Sequence, residues 1–308
     1  MMEKAVPGRM NVQLALLSGL ILLVVLVVAG LWYKDKEHDL ESVFHSTLQK
    51  QEIVSRMRIS LLKSAELEKA AVMADTDPLS RSLADQSLQA AEETDRQRRE
   101  LNRLIEHDSL AEEVALLKEF DHCWSQSRKI DAVLLDFAVE NTNLKAARLS
   151  FTTAGKTLEL FQQRLTDFLG SMASNERECR GGKAVFAALA AGFKIQYLHA
   201  PHIAAANDEQ MDAIEKEIEA SREGVKSSLK ELEGLASEEN RELLRPAASA
   251  FAEFEAVCAE VVRLSRQNSN IRSLELSLGR KRKITSECDE ILEGLQAVIR
   301  KRTPDATR

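Results

Sequence analysis

Apolar residues follow two patterns along this chain. From Leu14 to Tyr33 they run unbroken (LALLSGLILLVVLVVAGLWY), twenty residues without a charge. That length crosses a bilayer core as a helix, and Trp32 and Tyr33 close it where aromatic rings favour the interface. Beyond about Asp35 the apolar positions recur at alternating spacings of three and four, the period of amphipathic helices. One set reads Ile130, Leu134, Phe137, Leu144, Phe151, Leu158 and Leu165. Another reads Phe251, Phe254, Cys258 and Val261, then changes phase before Ile284, Cys288, Ile291, Leu295 and Val298. Both resemble the seams of packed helices.

Breakers divide this region into six helices. The first runs from about 35 to 74 and stops at Asp75-Thr-Asp-Pro78, since the residue before proline avoids the helix and proline suits the next first turn. The second ends near His107. The third runs from about 110 to 172, the fourth ends near Asn207-Asp208, and the fifth runs to about 235. The sixth runs from about 237 to Thr303-Pro304, with Pro246 an early kink candidate. Helices three and six have about 60 residues each, roughly 90 Å at 1.5 Å per residue, and the others about half to two-thirds of that. The lengths predict an all-α fold in which an N-terminal transmembrane helix is followed by six helices forming two stacked four-helix bundles that share the two long helices. The expected layout is a tail (1–11), an anchor (12–34), a helical domain (35–302) and a tail (303–308). The membrane-proximal bundle takes 35–140 with 272–302, and the distal bundle 141–271.

Composition agrees with helices: aromatics are 5%, and the chain has 12 glycines and 5 prolines. A net charge of -7 without a basic stripe excludes nucleic acid as an expected partner. A cleaved signal peptide competes with the anchor, since Val28-Ala29-Gly30 resembles a cleavage site. The apolar run exceeds the usual signal core, which favours an uncleaved anchor. Lys4 and Arg9 before it and Lys34 and Lys36 after it leave orientation undecided by charge. No second apolar run of that length follows, so the remaining chain is expected on one side of the membrane.

An internal repeat underlies the two bundles. Asn141-Thr-Asn-Leu-Lys-Ala-Ala-Arg-Leu-Ser150 matches Asn268-Ser-Asn-Ile-Arg-Ser-Leu-Glu-Leu-Ser277 in Asn-x-Asn, an aliphatic, a base and Leu-Ser. Leu83, Leu101 and Leu104 answer to Met211, Leu229 and Leu232; Lys63 answers to Lys194 and Asp77 to Asp208. A period this long indicates a duplicated three-helix unit rather than a solenoid.

This organisation resembles the sensor region of bacterial methyl-accepting chemotaxis proteins. Its six-helix form is similar to the helical bimodular sensor domain of chemoreceptors and sensor histidine kinases. The segment from Asn268 to Thr285 resembles the last helix of such bundles, and the resemblance covers roughly residues 12–302. It implies a single-pass protein of the bacterial inner membrane with a periplasmic domain that senses small molecules, often organic acids, and pairs as a homodimer. A chemoreceptor continues into a second crossing and a cytoplasmic output module, whereas this sequence ends at Arg308. The expectation is a sensor domain that relays to a signalling partner in the membrane; the alternative is a helical envelope scaffold with no small-molecule ligand.

Chemistry is sparse. The chain has no glycine-rich phosphate loop, no Gly-x-Ser-x-Gly and no His-Glu-x-x-His, so an enzyme is not expected and no cofactor is implied. His199 and His202 are three apart, but no third acidic ligand adjoins them, and a metal site is not expected. An organic anion needs cations facing a bundle interior. The candidates are Lys194 with Tyr197, Lys63 with Arg56 and Arg58 before it, and Arg272 with Asn268. Bundle lysines and arginines more often snorkel to solvent. Asn141, Asn143, Asn268 and Asn270 read first as polar residues fixing helix register. Cys123 and Cys288 should lie at similar heights, which makes a disulfide feasible; Cys179 and Cys258 read as small apolar residues.

Overall fold

The computed structural model describes residues 43–107, 110–172 and 176–305. The expected anchor lies outside them. Among the described residues no helix is long and apolar enough to cross a membrane, and none forms a strand. Six helical runs follow one another. They are α1 (43–72), α2 (Asp77–His107), a third run of α3 (Ala111–Glu140), α4 (Thr142–Leu149), a π-turn (Ser150–Ala154) and α5 (Gly155–Ser171), then α6 (Glu176–Ile203) and α7 (Asp208–Leu235). The sixth contains α8 (Glu238–Gln267), α9 (Ser269–Leu276), a second π-turn (Ser277–Lys281) and α10 (Arg282–Asp305). Pro201 and Pro246 lie inside α6 and α8 without ending them; flanking buried residues (Leu198 and His202, Leu244 and Ala247) hold each helix across the lost backbone bond. The sixth run reaches Asp305, past the expected stop at Thr303.

The long runs were expected to be continuous; each is broken at one residue. Asn141 (φ 51°) and Asn268 (φ 52°) are the two non-glycine residues with positive φ among those described. Asparagine tolerates this left-handed region better than other L-residues. Each break starts a new helix whose first N–H groups lack intrahelical acceptors, and each supplies the acceptors of the other. Thr142 N–H donates to Ser269 Oγ (3.0 Å) and Ser269 N–H to Thr142 Oγ1 (3.1 Å). Asn143 N–H donates to Asn270 Oδ1 (3.1 Å) and Asn270 N–H to Asn143 Oδ1 (3.2 Å). The side-chain amides also reach the end of α6: Asn143 Nδ2 donates to Ile203 O (2.8 Å) and Asn268 Nδ2 to Ala205 O (3.2 Å). The Asn-x-Asn repeat, with a hydroxyl residue between, is thus a mutual helix cap.

Two compact units divide the chain. The first, described over 43–62, 90–107, 110–124 and 286–305, is a four-helix arrangement of α1, α2, α3 and α10. Val54, Met57, Leu101, Phe120, Leu292 and Leu295 are buried in it. Polar ties cross its core: Lys50 Nζ meets Glu113 at 2.8 Å with both side chains fully buried. The Arg58 fork grips Asp289 at 2.7 and 3.1 Å. A disulfide joins Cys123 to Cys288, 165 residues apart.

The second unit spans 63–89 and 125–285. It holds a complete four-helix bundle of the α4–α5 run with α6, α7 and α8, whose core includes Leu158, Phe161, Leu165, Ile195, Val225, Phe251 and Phe254. A smaller core of Ala71, Val72, Ala84, Leu134, Leu135 and Ala138 lies in α1, α2 and α3. Asp77 and Asp208, paired by the repeat, each begin a helix.

The cap predicts unequal costs at Asn268. Asn268→Gly keeps the backbone but loses the bonds from Asn143 Nδ2 and to Ala205 O, about 2 kcal/mol at roughly 1 kcal/mol each. Asn268→Ala adds the left-handed penalty, about 1–2 kcal/mol more. Urea denaturation of both variants measures the difference. The disulfide predicts that two of the four thiols react in denaturant without reductant and all four after reduction, read by thiol titration.

Candidate functional site

Nine residues beyond each asparagine break, the helix widens into its π-turn. The extra residue in the turn rotates the apolar seam out of phase. Phe151, expected on the buried seam, is therefore 79% exposed, while Ser150 beside it is buried. The turn presents Ser150 to α6. Gln196 Nε2 donates to Ser150 O (2.9 Å) and Ser150 Oγ (3.1 Å), and Ser150 Oγ lies 2.9 Å from His199 Nδ1. Ser150 Oγ and His199 Nδ1 share one proton in this contact, and the arrangement in which the hydroxyl donates to Nδ1 puts the ring proton on Nε2. Burial, and secondarily His202, lower the His199 pKa to about 4, so its ring is neutral at neutral pH. The chain of bonds leaves Gln196 Oε1 and His199 Nε2 buried without a protein partner. Such atoms are costly unless something occupies them.

Beside Gln196 lies an open cavity of about 410 Å³ lined by Ala147, Ser150, Phe151, Gln196, Tyr197, Ala200 and Ile203. It has two aromatic walls, an amide and a hydroxyl, and no charged side chain. One turn further along α6, His202 is held by Ser265 (2.8 Å to Nδ1) and Glu215 (2.9 Å to Nε2). Arg266 binds the same Glu215 at 2.6 Å and holds its carboxyl below the usual range. Both ring nitrogens of His202 are thereby engaged. Among the described residues no group of three or more metal-capable side chains converges.

The repeat places a different chemistry at the equivalent point. Glu68 stands to Lys63 as His199 stands to Lys194, and Ser277 corresponds to Ser150. Here the π-turn ends in Lys281, whose buried ammonium contacts Asp131 at 2.7 Å and donates to Ser127 Oγ at 2.6 Å. Glu68 is fully buried, and Ser277 approaches its carboxyl without reaching hydrogen-bond geometry. Burial raises its pKa, against the opposing pull of Ser277 and Lys281.

Of the residues singled out for an anion, Tyr197 lines the cavity. Lys194, three residues before it, turns to Glu217 on α7 (3.1 Å), both about half exposed. Lys63 is exposed on α1. Arg58 is committed to Asp289 in the first unit, and that bond raises its pKa; Arg56 pairs with Glu52 on the surface. Asn268 belongs to the mutual cap. Arg272 lies 6.0 Å over the Phe137 ring. The structure therefore does not gather these cations around one space. Ser150, Phe151, Gln196 and Tyr197 line the cavity instead, and His199 is tied to it through Ser150. Ser150 and Ser277 close the two halves of the repeated motif, which was the available signal for the first of these.

No family model matches the chain, and no curated protein does either. Among solved structures, the chain is similar to the sensor domain of the V. parahaemolyticus histidine kinase sensor TorS, with 12% identity and a TM-score of 0.54, over 82% of this chain and 98% of that one. At this identity the likeness shows the fold: an all-helical architecture shared with a sensor domain.

The buried His199 makes stability depend on acid. Its folded pKa lies below the 6.5 of the unfolded chain, so below pH 6.5 the unfolded state takes up a proton that the folded state refuses. Stability is then lost as pH falls from 6.5 towards 4, by about 3 kcal/mol at pH 4. Urea denaturation at pH 7, 5.5 and 4 should show His199→Gln gaining on the wild type by about that amount.

Proposed function

We propose that this chain is a non-enzymatic sensor domain of the chemoreceptor and histidine-kinase type. In this reading it is tethered by residues 12–34, faces the extracytoplasmic side and passes its signal to a separate signalling protein. The supporting observation is the buried, unpartnered Gln196 Oε1 at the π-turn, in a side chain that lines an open cavity and is linked through Ser150 to His199. A native protein leaves few such atoms unsatisfied, and they cluster where a ligand or ordered water completes them. The TorS-like fold supports the sensor reading. The Cys123–Cys288 disulfide supports an oxidising compartment.

The lining narrows the ligand. An organic acid would need a cation at the cavity, and Lys194 is turned to Glu217. The uncharged walls favour a small neutral molecule with an apolar body and hydrogen-bonding groups for Gln196. The alternative, an interaction protein, draws support from the exposed aromatic face described below.

A thermal-shift screen of the full chain against small neutral polar molecules, amines and carboxylates tests this. A ligand of the folded state raises Tm by mass action, by about 2.7 kcal/mol of stability at a hundredfold excess over Kd. The shift should vanish in Gln196→Ala and Tyr197→Ala and persist in Lys194→Ala. A hit abolished by Lys194→Ala but indifferent to Gln196→Ala would move the site elsewhere; no hit would favour the interaction protein.

A further inference from the structure

In a chain with few aromatics, four of them stand out of one face of the α4–α8 bundle. Phe186 (74% exposed), Phe193 (48%) and Tyr197 (76%) are seven and four residues apart on α6, and Phe151 (79%) shares the cavity with Tyr197. Those spacings align the three α6 rings in one stripe, and exposed Ala190 and Ala200 continue it. Helix α6 could have buried these rings by rotation, yet it buries Ala184, Val185, Ala188, Ile195 and Leu198. Contiguous exposed apolar surface of this kind marks a contact site.

The two segments that carry the rings hold cations and no carboxylate of their own, and carboxylates from other helices pair with only some of those cations. Residues 141–158 contain Lys145, Arg148 and Lys156, and residues 179–203 contain Arg180, Lys183 and Lys194; neither segment has an aspartate or glutamate, in a chain of net charge -7. Lys194, Arg180 and Lys145 lie near Glu217, Glu231 and Asp77. Arg148, Lys156 and Lys183 are exposed and take part in no ion pair among the described residues. Arg148 precedes Phe151 by three residues and Lys183 precedes Phe186 by three, so each cation flanks a ring on its own helix.

We infer that this face of α6 and the first π-turn docks a partner protein presenting apolar side chains among carboxylates. Pairing of the same face between two copies of this chain would set like charges opposite one another, which costs several kcal/mol. An acidic partner gains from both the rings and the unpaired cations. The face overlaps the cavity of the small-molecule reading at Phe151 and Tyr197, and Phe186, about three turns from Tyr197 and outside the cavity, distinguishes the two.

The test uses the full chain in its native membrane, with photoreactive benzoylphenylalanine at Phe186 and, as a control off the face, at the exposed Glu253 of α8. Irradiation should join Phe186, and not Glu253, to another protein through a peptide rich in Asp and Glu. Binding of that purified protein should weaken at least about tenfold in Phe186→Ala and in the double variant Arg148→Glu with Lys183→Glu, and should fall as salt rises. Circular dichroism checks that these exposed substitutions leave the fold intact. The inference is overturned by adducts only between copies of this chain or only with lipid, and by a yield at Phe186 no higher than at Glu253. A partner whose affinity ignores the charge reversal overturns it as well.

Discussion

Two asparagines held at positive φ in the middle of long helical runs are the constraint on which the second unit is built. A helix break inside a protein exposes N–H groups that must find acceptors. The chain solves this by duplication. Thr142 and Asn143 cap the helix that begins at Ser269, and Ser269 and Asn270 cap the helix that begins at Thr142. The amides of Asn143 and Asn268 donate to Ile203 O, at the end of α6, and to Ala205 O just beyond it. Neither break is satisfied without the other, so the cap fixes the register of the two runs and the height at which α6 ends.

That register determines the chemistry downstream. Each break is followed at the same distance by a π-turn carrying a buried serine. In one copy the serine meets a neutral histidine and a glutamine, and in the other it faces a buried glutamate near a lysine–aspartate pair. The two copies share the geometry of break and π-turn and differ in their buried polar groups. The first copy opens beside an uncharged cavity lined by Gln196, whose Oε1 is buried without a partner. The second keeps its polar atoms in the core, where the Lys281–Asp131 pair, costly to desolvate and costly to break, lies near an unsatisfied Glu68 carboxyl.

Much of this was legible in the sequence. The six runs followed from the period of apolar residues and from Asp75–Pro78 and Asn207. The repeat was visible as Asn-x-Asn and Leu-Ser, and the structure places these asparagines, expected to fix register, at two helix breaks that cap one another. Their left-handed backbone was not legible, because asparagine occurs in helices as well as at breaks and no glycine or proline marks these two sites. The π-turns were equally hidden: one inserted residue leaves no signature in composition, yet it moved Phe151 from the expected seam to the surface and brought Ser150 inward. The cation candidates were misleading for a physical reason. Sequence shows a lysine's helix face only roughly, and the carboxylates that claim Arg58 and Lys194 come from other helices, Asp289 and Glu217.

The central claim is that the asparagine cap and the π-turn hold a buried relay from the cavity-lining Gln196 through Ser150 to a neutral His199 with its proton on the unpartnered Nε2. Two-dimensional ¹⁵N–¹H correlation of the histidine ring nitrogens in the full chain reads that state directly. The account predicts that His199 is the neutral Nε2–H tautomer at pH 7 and stays neutral to about pH 5, and that Ser150→Ala disturbs this signal. A protonated ring at pH 6, or a proton on Nδ1, would contradict the relay and with it the site.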